Sequence, residues 1–176
     1  MKRRAVVTGL VAVASAGCTD RLHDLAASTP RDLGVRSHYI DGDPFVEGQS
    51  VRSLPEGLLT HAASFRSGSE ARAAVLPDQP ETTTFVDATS FIDDGGESVL
   101  IVAQRLTAPE VELRLGSISR TGERSLRIAV DLAGVRGKIE PDDPVVKTLL
   151  LRLTDERGPP ERVIVSIEGD RAGVTV

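Results

Sequence analysis

Residues 98–104 read Ser-Val-Leu-Ile-Val-Ala-Gln, a nearly continuous apolar run of strand length. A strand with only one buried face alternates apolar and polar residues, whereas this run does not alternate. The run therefore predicts a central β-strand that is covered on both faces.

The next apolar segments along the chain do alternate. Val111, Leu113 and Leu115 are separated by charged residues, and residues 126–132 carry apolar side chains at every second position. This period of two predicts strands with one buried face. A turn sequence that contains Gly122 lies between them, so we expect a β-hairpin.

Two more strands are expected to pair near the C-terminus, at about residues 145–153 and 162–168, joined by a connector over residues 155–160. Short strands separated by turn-rich loops are typical of antiparallel sandwiches and barrels. We therefore predict a mainly β fold, an antiparallel sandwich or small barrel with one short helix.

That helix is expected at residues 67–76, where Ser67 can cap the first turn and Pro77 ends the element. Residues 78–84 are interpreted as a polar connector, and residues 85–87 as the opening of the β region. Residues 36–40 are expected to form a strand. A second strand at residues 49–54 is expected to pair back with it.

Composition restricts the core and the partners. All five aromatic residues precede residue 92, so the later half must have an aliphatic core. Arginine greatly outnumbers lysine and acids outnumber bases, a balance that resembles proteins of halophilic archaea or other GC-rich organisms. An acidic chain with so few aromatic rings is not expected to bind nucleic acid, and carbohydrate binding is disfavoured.

The N-terminus has the three parts of a signal peptide: a basic start with Arg3 and Arg4, an apolar run over residues 5–16, and small residues before Cys18. The run is too short to span a membrane as a helix, which needs about 20 residues. The Arg3-Arg4 pair resembles a twin-arginine export signal, with general secretion as the alternative.

Residues 15–18 read Ser-Ala-Gly-Cys and resemble a lipobox, in which the cysteine thiol takes a lipid. This resemblance implies an exported lipoprotein that is bound to the membrane through a lipid on Cys18. We divide the chain into a signal peptide (1–17), a lipidated tether (18–34) and a β-rich domain (35–176). The expected location is the extracytoplasmic face of the cell membrane.

Metal-binding and catalytic residue patterns are sparse. His23, His38 and His61 do not have the spacing of a zinc motif, and the acidic clusters fall in turns where aspartate commonly binds its own backbone. No catalytic residue and no cofactor is expected. The weak candidates for a calcium site are Asp93, Asp94 and Glu97.

A family resemblance covers residues 60–170. A short helix (67–76), Phe85-Val86-Asp87, the strand at 99–102, the hairpin 111–132 and two final strands are similar in order to the small C-terminal domain of the protease-complex stabilising protein family. Where that family carries a Pro-Thr-Gly-Gly-Tyr type stretch, this chain reads Leu106-Thr107-Ala108-Pro109. The resemblance implies a protein-interaction module without catalytic residues.

These observations favour a membrane-tethered, non-catalytic interaction or accessory lipoprotein whose partner is another envelope protein. An enzyme is the less favoured class. A metal-dependent hydrolase whose site is assembled only by the fold is the first alternative, and a structural component of the cell envelope is the second. A deep pocket that holds a histidine and two carboxylates would favour the hydrolase.

Overall fold

A computed structural model of the protein describes residues 29–134 and 143–176. The eight strands in these residues are β1 (Leu33–Ile40), β2 (Thr60–Phe65), β3 (Ser98–Thr107), β4 (Glu112–Gly122), β5 (Ser125–Ala133), β6 (Val145–Asp155), β7 (Arg162–Ile167) and β8 (Asp170–Thr175). The two helices are α1 (Gly68–Ala74) and α2 (Pro80–Asp87), and short 3-10 turns lie at Val51–Ser53 and Ile92–Asp94.

The strands form two four-stranded sheets that pack face to face. The first sheet has the order β1-β6-β3-β2 and is antiparallel, and the second has the order β4-β5-β7-β8. Within the second sheet, β5 and β7 are parallel while the other pairs are antiparallel. The predicted mainly β sandwich is therefore confirmed, with a mixed second sheet.

The first sheet is covered on both faces, as the sequence of β3 predicts. Val99, Ile101 and Ala103 face the second sheet, whereas Leu100 and Val102 face the helices. All five are almost fully buried. Along β5 of the second sheet, by contrast, buried residues alternate with more exposed ones, as predicted for residues 126–132.

The two cores differ in composition. The core between the sheets is aliphatic, built from valine, leucine and isoleucine of both sheets. The core under the helices contains Phe45, Phe65 and Phe91, and the rings of Phe45 and Phe65 stack at 6.1 Å between centroids. The phenylalanines, all early in the sequence, thus pack on the helix side of the first sheet.

Helix α1 begins where expected. The Ser67 side chain accepts a hydrogen bond from the backbone N–H of Ser69 at 3.2 Å, which caps the first turn. The helix ends at Ala74, and Val75 forms an isolated bridge with Phe45.

The interpretation of residues 78–87 was wrong, because residues 80–87 form helix α2. Pro80 occupies the first turn, a position that suits proline, and Val86 is fully buried against the sheet. The hydroxyls of Thr83 and Thr84 donate to the carbonyls of Gln79 and Pro80, four residues earlier. Three consecutive threonines have low helix propensity, so packing decides this element.

Three strand assignments also need correction. Residues 49–54 do not pair with β1; they contain a 3-10 turn, and β1 pairs with β6. Strand β7 does not pair with β6, because the connector at 155–160 crosses to the second sheet. Leu33 and Gly34, placed in the tether by sequence, already belong to β1.

Two strands were not predicted at all. Strand β2 reads Thr-His-Ala-Ala-Ser-Phe, with alanines in place of β-branched residues. It pairs with β3 and forms one edge of the first sheet. Strand β8 forms a tight hairpin with β7 through Glu168 and Gly169, both of which have positive φ angles.

The register of β1 defines two ends of the sandwich. At the leading end, where the described chain enters β1, Leu33 pairs with Asp155; at the far end, Ile40 pairs with Thr148. The eight-residue strand separates these ends by about 23 Å at about 3.3 Å per residue. None of the helices in residues 29–134 and 143–176 is both long and apolar enough to cross a membrane.

Candidate functional site

The predicted export and lipidation residues, Arg3, Arg4 and Cys18, lie outside the described residues. Their roles therefore stay predictions. His23 and the acidic residues Glu140 and Asp142 also lie outside them.

Two of the calcium candidates have other partners. The Asp93 carboxylate pairs with the Arg66 guanidinium at 2.9 Å, and Asp94 accepts a hydrogen bond from the Gly68 backbone N–H at 2.7 Å, at the start of α1. Glu97 is exposed. Among residues 29–134 and 143–176, no group of three or more histidine, cysteine or acidic residues is arranged to hold a metal ion.

The fold does not bring His38 and His61 together. They lie on the two edge strands of the first sheet, three strand spacings apart, which is about 14 Å. His38 stacks on the Phe85 ring of α2 at 5.7 Å, with its Nε2 3.7 Å from the Glu81 carboxylate. His61 is half-buried in β2.

A row of polar side chains crosses the helix-side face of the first sheet at its far end. His61, Gln104 and Thr148 stand opposite one another in the registers of β2, β3 and β6. The neighbouring row on the same face, Ala63, Val102 and Leu150, is apolar. The polar row is therefore a local break in an aliphatic core.

Gln104 is the centre of this row and is fully buried. Its Oε1 accepts a hydrogen bond from the Val51 backbone N–H at 2.9 Å. Its Nε2 donates to Asp43 at 3.0 Å and to the Thr148 hydroxyl at 3.2 Å. One amide side chain thus connects two strands with the loop that follows β1.

The loop completes the arrangement. The Ser50 hydroxyl donates to the Asp43 carboxylate and also caps the 3-10 turn by accepting from the Arg52 backbone N–H. The Thr148 hydroxyl donates to the Gly42 carbonyl at 2.8 Å. We call Asp43, Ser50, Gln104 and Thr148 the far-end network.

His61 adds a titratable group beside the far-end network. Burial lowers its pKa from the usual value, and the charge of Asp43 offsets part of that effect. The Nε2 atom of His61 is buried and has no hydrogen-bond partner among the described residues. Its imidazole is therefore held preferentially in the neutral form.

Lys147 lies beside this network on the other face of β6. Its side chain is 2% exposed, whereas its ion-pair partner Asp41 is 73% exposed. The ammonium also donates to the Pro109 carbonyl at 2.6 Å. Burial alone would lower the pKa of Lys147, but the bond to Asp41 and the nearby Tyr39 outweigh it, so the pKa is raised.

A cleft of about 340 Å³ opens beside the Lys147–Asp41 pair. Its walls combine the apolar side chains of Pro109, Val145 and Val146 with the charged groups of Asp41, Arg52 and Lys147. The cleft lies at the far end of the sandwich, where β6 begins.

The leading end carries a different cluster, an ionic clamp. Arg120 of β4 binds Asp155 of β6 through two hydrogen bonds, at 2.9 and 2.8 Å, and binds Asp32 at 3.0 Å. Arg157 also pairs with Asp32. The Asp155 side chain is only 1% exposed. The clamp fixes the residues just before β1 against both sheets.

The clamp shifts the pKa values of its members. The hydrogen bond from Arg120 lowers the pKa of Asp32. Burial would raise the pKa of Asp155, but Arg120 outweighs it and the pKa is lowered. The two carboxylates in turn raise the pKa of Arg120, against the effect of burial. All three groups are therefore charged at neutral pH.

Sequence reasoning missed both clusters. The sequence pattern around Asp41-Gly42-Asp43-Pro44 predicts only a turn, and Gln104 is only the end of an apolar run in the sequence. One signal was available: Lys147 and Thr148 interrupt the apolar run from Val145 to Leu151, in a chain that has only three lysines. A lone lysine at such a position indicates a buried charge that requires a partner.

No protein-family model, no curated protein and no solved structure matches the chain. The resemblance to the protease-complex stabilising protein family therefore stays a prediction.

Proposed function

We propose that this protein is a lipid-anchored accessory protein on the extracytoplasmic face of the cell membrane, and that its sandwich is a non-catalytic binding domain. The observation that carries the proposal is the N-terminal sequence, in which a basic start and an apolar run precede Gly17-Cys18. Cleavage there would leave Cys18 as the first residue of a short tether that leads into β1.

Edge strands support the binding role. Strands β1 and β4 each pair with one neighbour only among the described strands, so one edge of each presents backbone groups that could accept another strand. Strand addition gives affinity through main-chain hydrogen bonds and needs no aromatic anchors. This suits a chain with no tryptophan and one tyrosine.

The tether restricts the choice of partner. Residues 19–32 separate Cys18 from β1, and even a fully extended segment of this length reaches only about 50 Å. Without residues 1–17 the chain has 18 basic and 26 acidic residues, a net charge of −8, which disfavours direct binding to anionic lipid headgroups. The partner should therefore be another envelope protein.

The test is Cys18→Ser in the full chain, compared with Thr19→Ser as a matched control. We expect wild type and Thr19→Ser to fractionate with membranes and to carry a lipid on Cys18 by mass spectrometry. Cys18→Ser should lack the lipid and appear in the medium or as uncleaved precursor. A free Cys18 thiol in mature wild-type protein would contradict the proposal.

One observation favours a second candidate, a hydrolase at the far end. His61, whose Nε2 has no hydrogen-bond partner among the described residues, lies near the Asp43 carboxylate, and a partly buried histidine with a shifted pKa is common at catalytic sites. A hydrolytic activity that is lost in His61→Ala but kept in His38→Ala would favour this candidate over the binding domain.

A further inference from the structure

The loops at the far end of the sandwich share two unusual surface properties. These loops are residues 41–59, 75–79, 108–111 and 143–144, and the hydrogen bond from the Leu76 N–H to the Pro44 carbonyl joins the first two. They contain the exposed large apolar side chains of the described residues, Leu58 (56% exposed), Leu59 (40%) and Leu76 (36%).

Leu58 and Leu59 belong to a tight turn. The Leu58 N–H donates to the Pro55 carbonyl, Gly57 has a positive φ angle, and the Leu59 carbonyl accepts from the Leu106 N–H. The turn is thus fixed to the end of β3. Exposure of two adjacent leucine side chains to water on a fixed turn is energetically unfavourable, and a partner that covered them would remove this unfavourable free energy.

The charge of the same loops is one-sided. Their exposed ionisable residues are Asp41, Glu47, Glu56, Asp78, Glu110, Asp143 and Arg52. Six are carboxylates and one is a guanidinium, so the described loops remain net negative even though Asp41 is paired with Lys147. A partner segment that approaches it gains attraction if its flanks are basic.

The cleft beside Lys147 supplies the remaining feature. Its Val145, Val146 and Pro109 walls can receive an aliphatic side chain, and its volume of about 340 Å³ is enough for one or two such groups. The Asp41 carboxylate that lines the cleft pairs with Lys147 but is 73% exposed, so it can also contact a cation of the partner.

We propose that the far end of the sandwich is the docking surface of this protein, and that its partner is a polypeptide segment of aliphatic residues flanked by lysine or arginine. Recognition of this segment depends only on the leucines, carboxylates and cleft of the domain itself. Only the orientation rests on the proposed function: a lipid at Cys18 would put the leading end toward the membrane and the docking surface about 23 Å further out.

The test uses the purified full chain and three short fluorescein-labelled peptides of equal length. The first alternates lysine with leucine and valine, the second has glutamate in place of lysine, and the third has serine in place of leucine and valine. Fluorescence anisotropy at low and high salt measures the affinities. We expect the first peptide to bind at least about tenfold more tightly than either other peptide, and more weakly at high salt.

Variants locate the site. Leu58→Ser combined with Leu59→Ser should weaken binding of the first peptide about tenfold without lowering the melting temperature, because both side chains are exposed. Glu56→Lys should also weaken it, whereas Glu156→Lys, the same charge change at the leading end, should not.

Several outcomes would overturn the proposal. These are failure of the lysine peptide to bind, equal binding of the glutamate or serine peptide, or equal effects of Glu56→Lys and Glu156→Lys. Self-association that is lost in the leucine variant would also overturn it, since the occupant would then be a second copy. The Cys18→Ser experiment is independent of all these readouts, so failure of one proposal is distinguishable from failure of the other.

Discussion

At the scale of the residue, Gln104 shows how a buried polar group can be tolerated in an aliphatic sheet. Its amide uses its oxygen for Val51 and its nitrogen for Asp43 and Thr148, so neither end is left without a partner. A buried amide without such partners would cost about 1–3 kcal/mol. The network therefore specifies one position for the loop after β1.

His61, in the same row, makes the stability of the fold dependent on pH. Its folded pKa is lowered, so the unfolded chain binds the proton first, at about pH 6.5. The stability that neutral His61 contributes to the fold is fully present above that pH. It is lost as the pH falls from about 6.5 toward the pKa of His61 in the folded state. We expect the melting temperature to drop between about pH 7.5 and about pH 5.5.

The control is His61→Asn, which removes the titration and keeps a polar side chain of similar size. Its melting temperature should change less over the same interval, as measured by circular dichroism. Parallel pH profiles for the two proteins would show that His61 is not the titrating group. The clamp carboxylates have lowered pKa values and titrate at more acidic pH.

At the scale of the element, burial pattern decides which substitutions a strand accepts. In β5, Ile128 is fully buried between the sheets, whereas Arg127 points to the exposed outer face. Successive residues of one strand therefore have opposite surroundings.

Ile128→Asp should unfold the domain, because a buried, unpaired carboxylate costs at least several kcal/mol. Arg127→Asp, one position away, should change the free energy of unfolding by less than about 1 kcal/mol. Urea denaturation followed by circular dichroism measures both. Similar losses in the two variants would mean that the strand faces are assigned incorrectly.

Strands could be predicted from the sequence where a single hydrophobic pattern determines them. The unbroken run at 98–104 correctly indicated a strand buried on both faces, and the alternation at 126–132 correctly indicated one buried face. Helix α2 was missed because its threonines favour strands locally, whereas tertiary packing that buries Thr82 and Val86 holds the helix in place. The parallel pairing of β7 with β5 is set by a crossover, which leaves no periodic signal.

The residues of the far-end network and the ionic clamp were harder to predict, because their partners are distant in sequence. Asp43 and Gln104 are 61 residues apart, and Arg120 and Asp155 are 35 apart, so no local spacing relates them. The sequence shows a polar residue at the end of an apolar run, but its partner is supplied by the tertiary fold.

At the scale of the whole molecule, the ionic clamp connects the two sheets with the segment that precedes β1. Arg120 belongs to the second sheet, Asp155 to the first, and Asp32 to that segment. Removal of Arg120 would leave the buried Asp155 carboxylate without its main partner. Such a loss is far more costly than breaking an exposed ion pair.

Arg120→Met should therefore lower the free energy of unfolding by about 3 kcal/mol, because it leaves the Asp155 carboxylate, which is 1% exposed, without its main cationic partner. The matched control is Arg124→Met, which breaks an exposed pair with Glu161 and should cost less than about 1 kcal/mol. Urea denaturation at neutral pH compares them. Equal losses would show that the clamp contributes no more than a surface pair.

The strand order of the first sheet also has a consequence for biosynthesis. Its central strand, β6, is the sixth to leave the ribosome, and until then β1 has no neighbour with which to pair. In the second sheet, β5 can pair with β4 at once, but its other neighbour, β7, follows only after β6. Since β6 contributes side chains to both cores, neither core can be completed before this strand has been synthesised. The polypeptide therefore exposes apolar strand residues of both cores until β6 has left the ribosome.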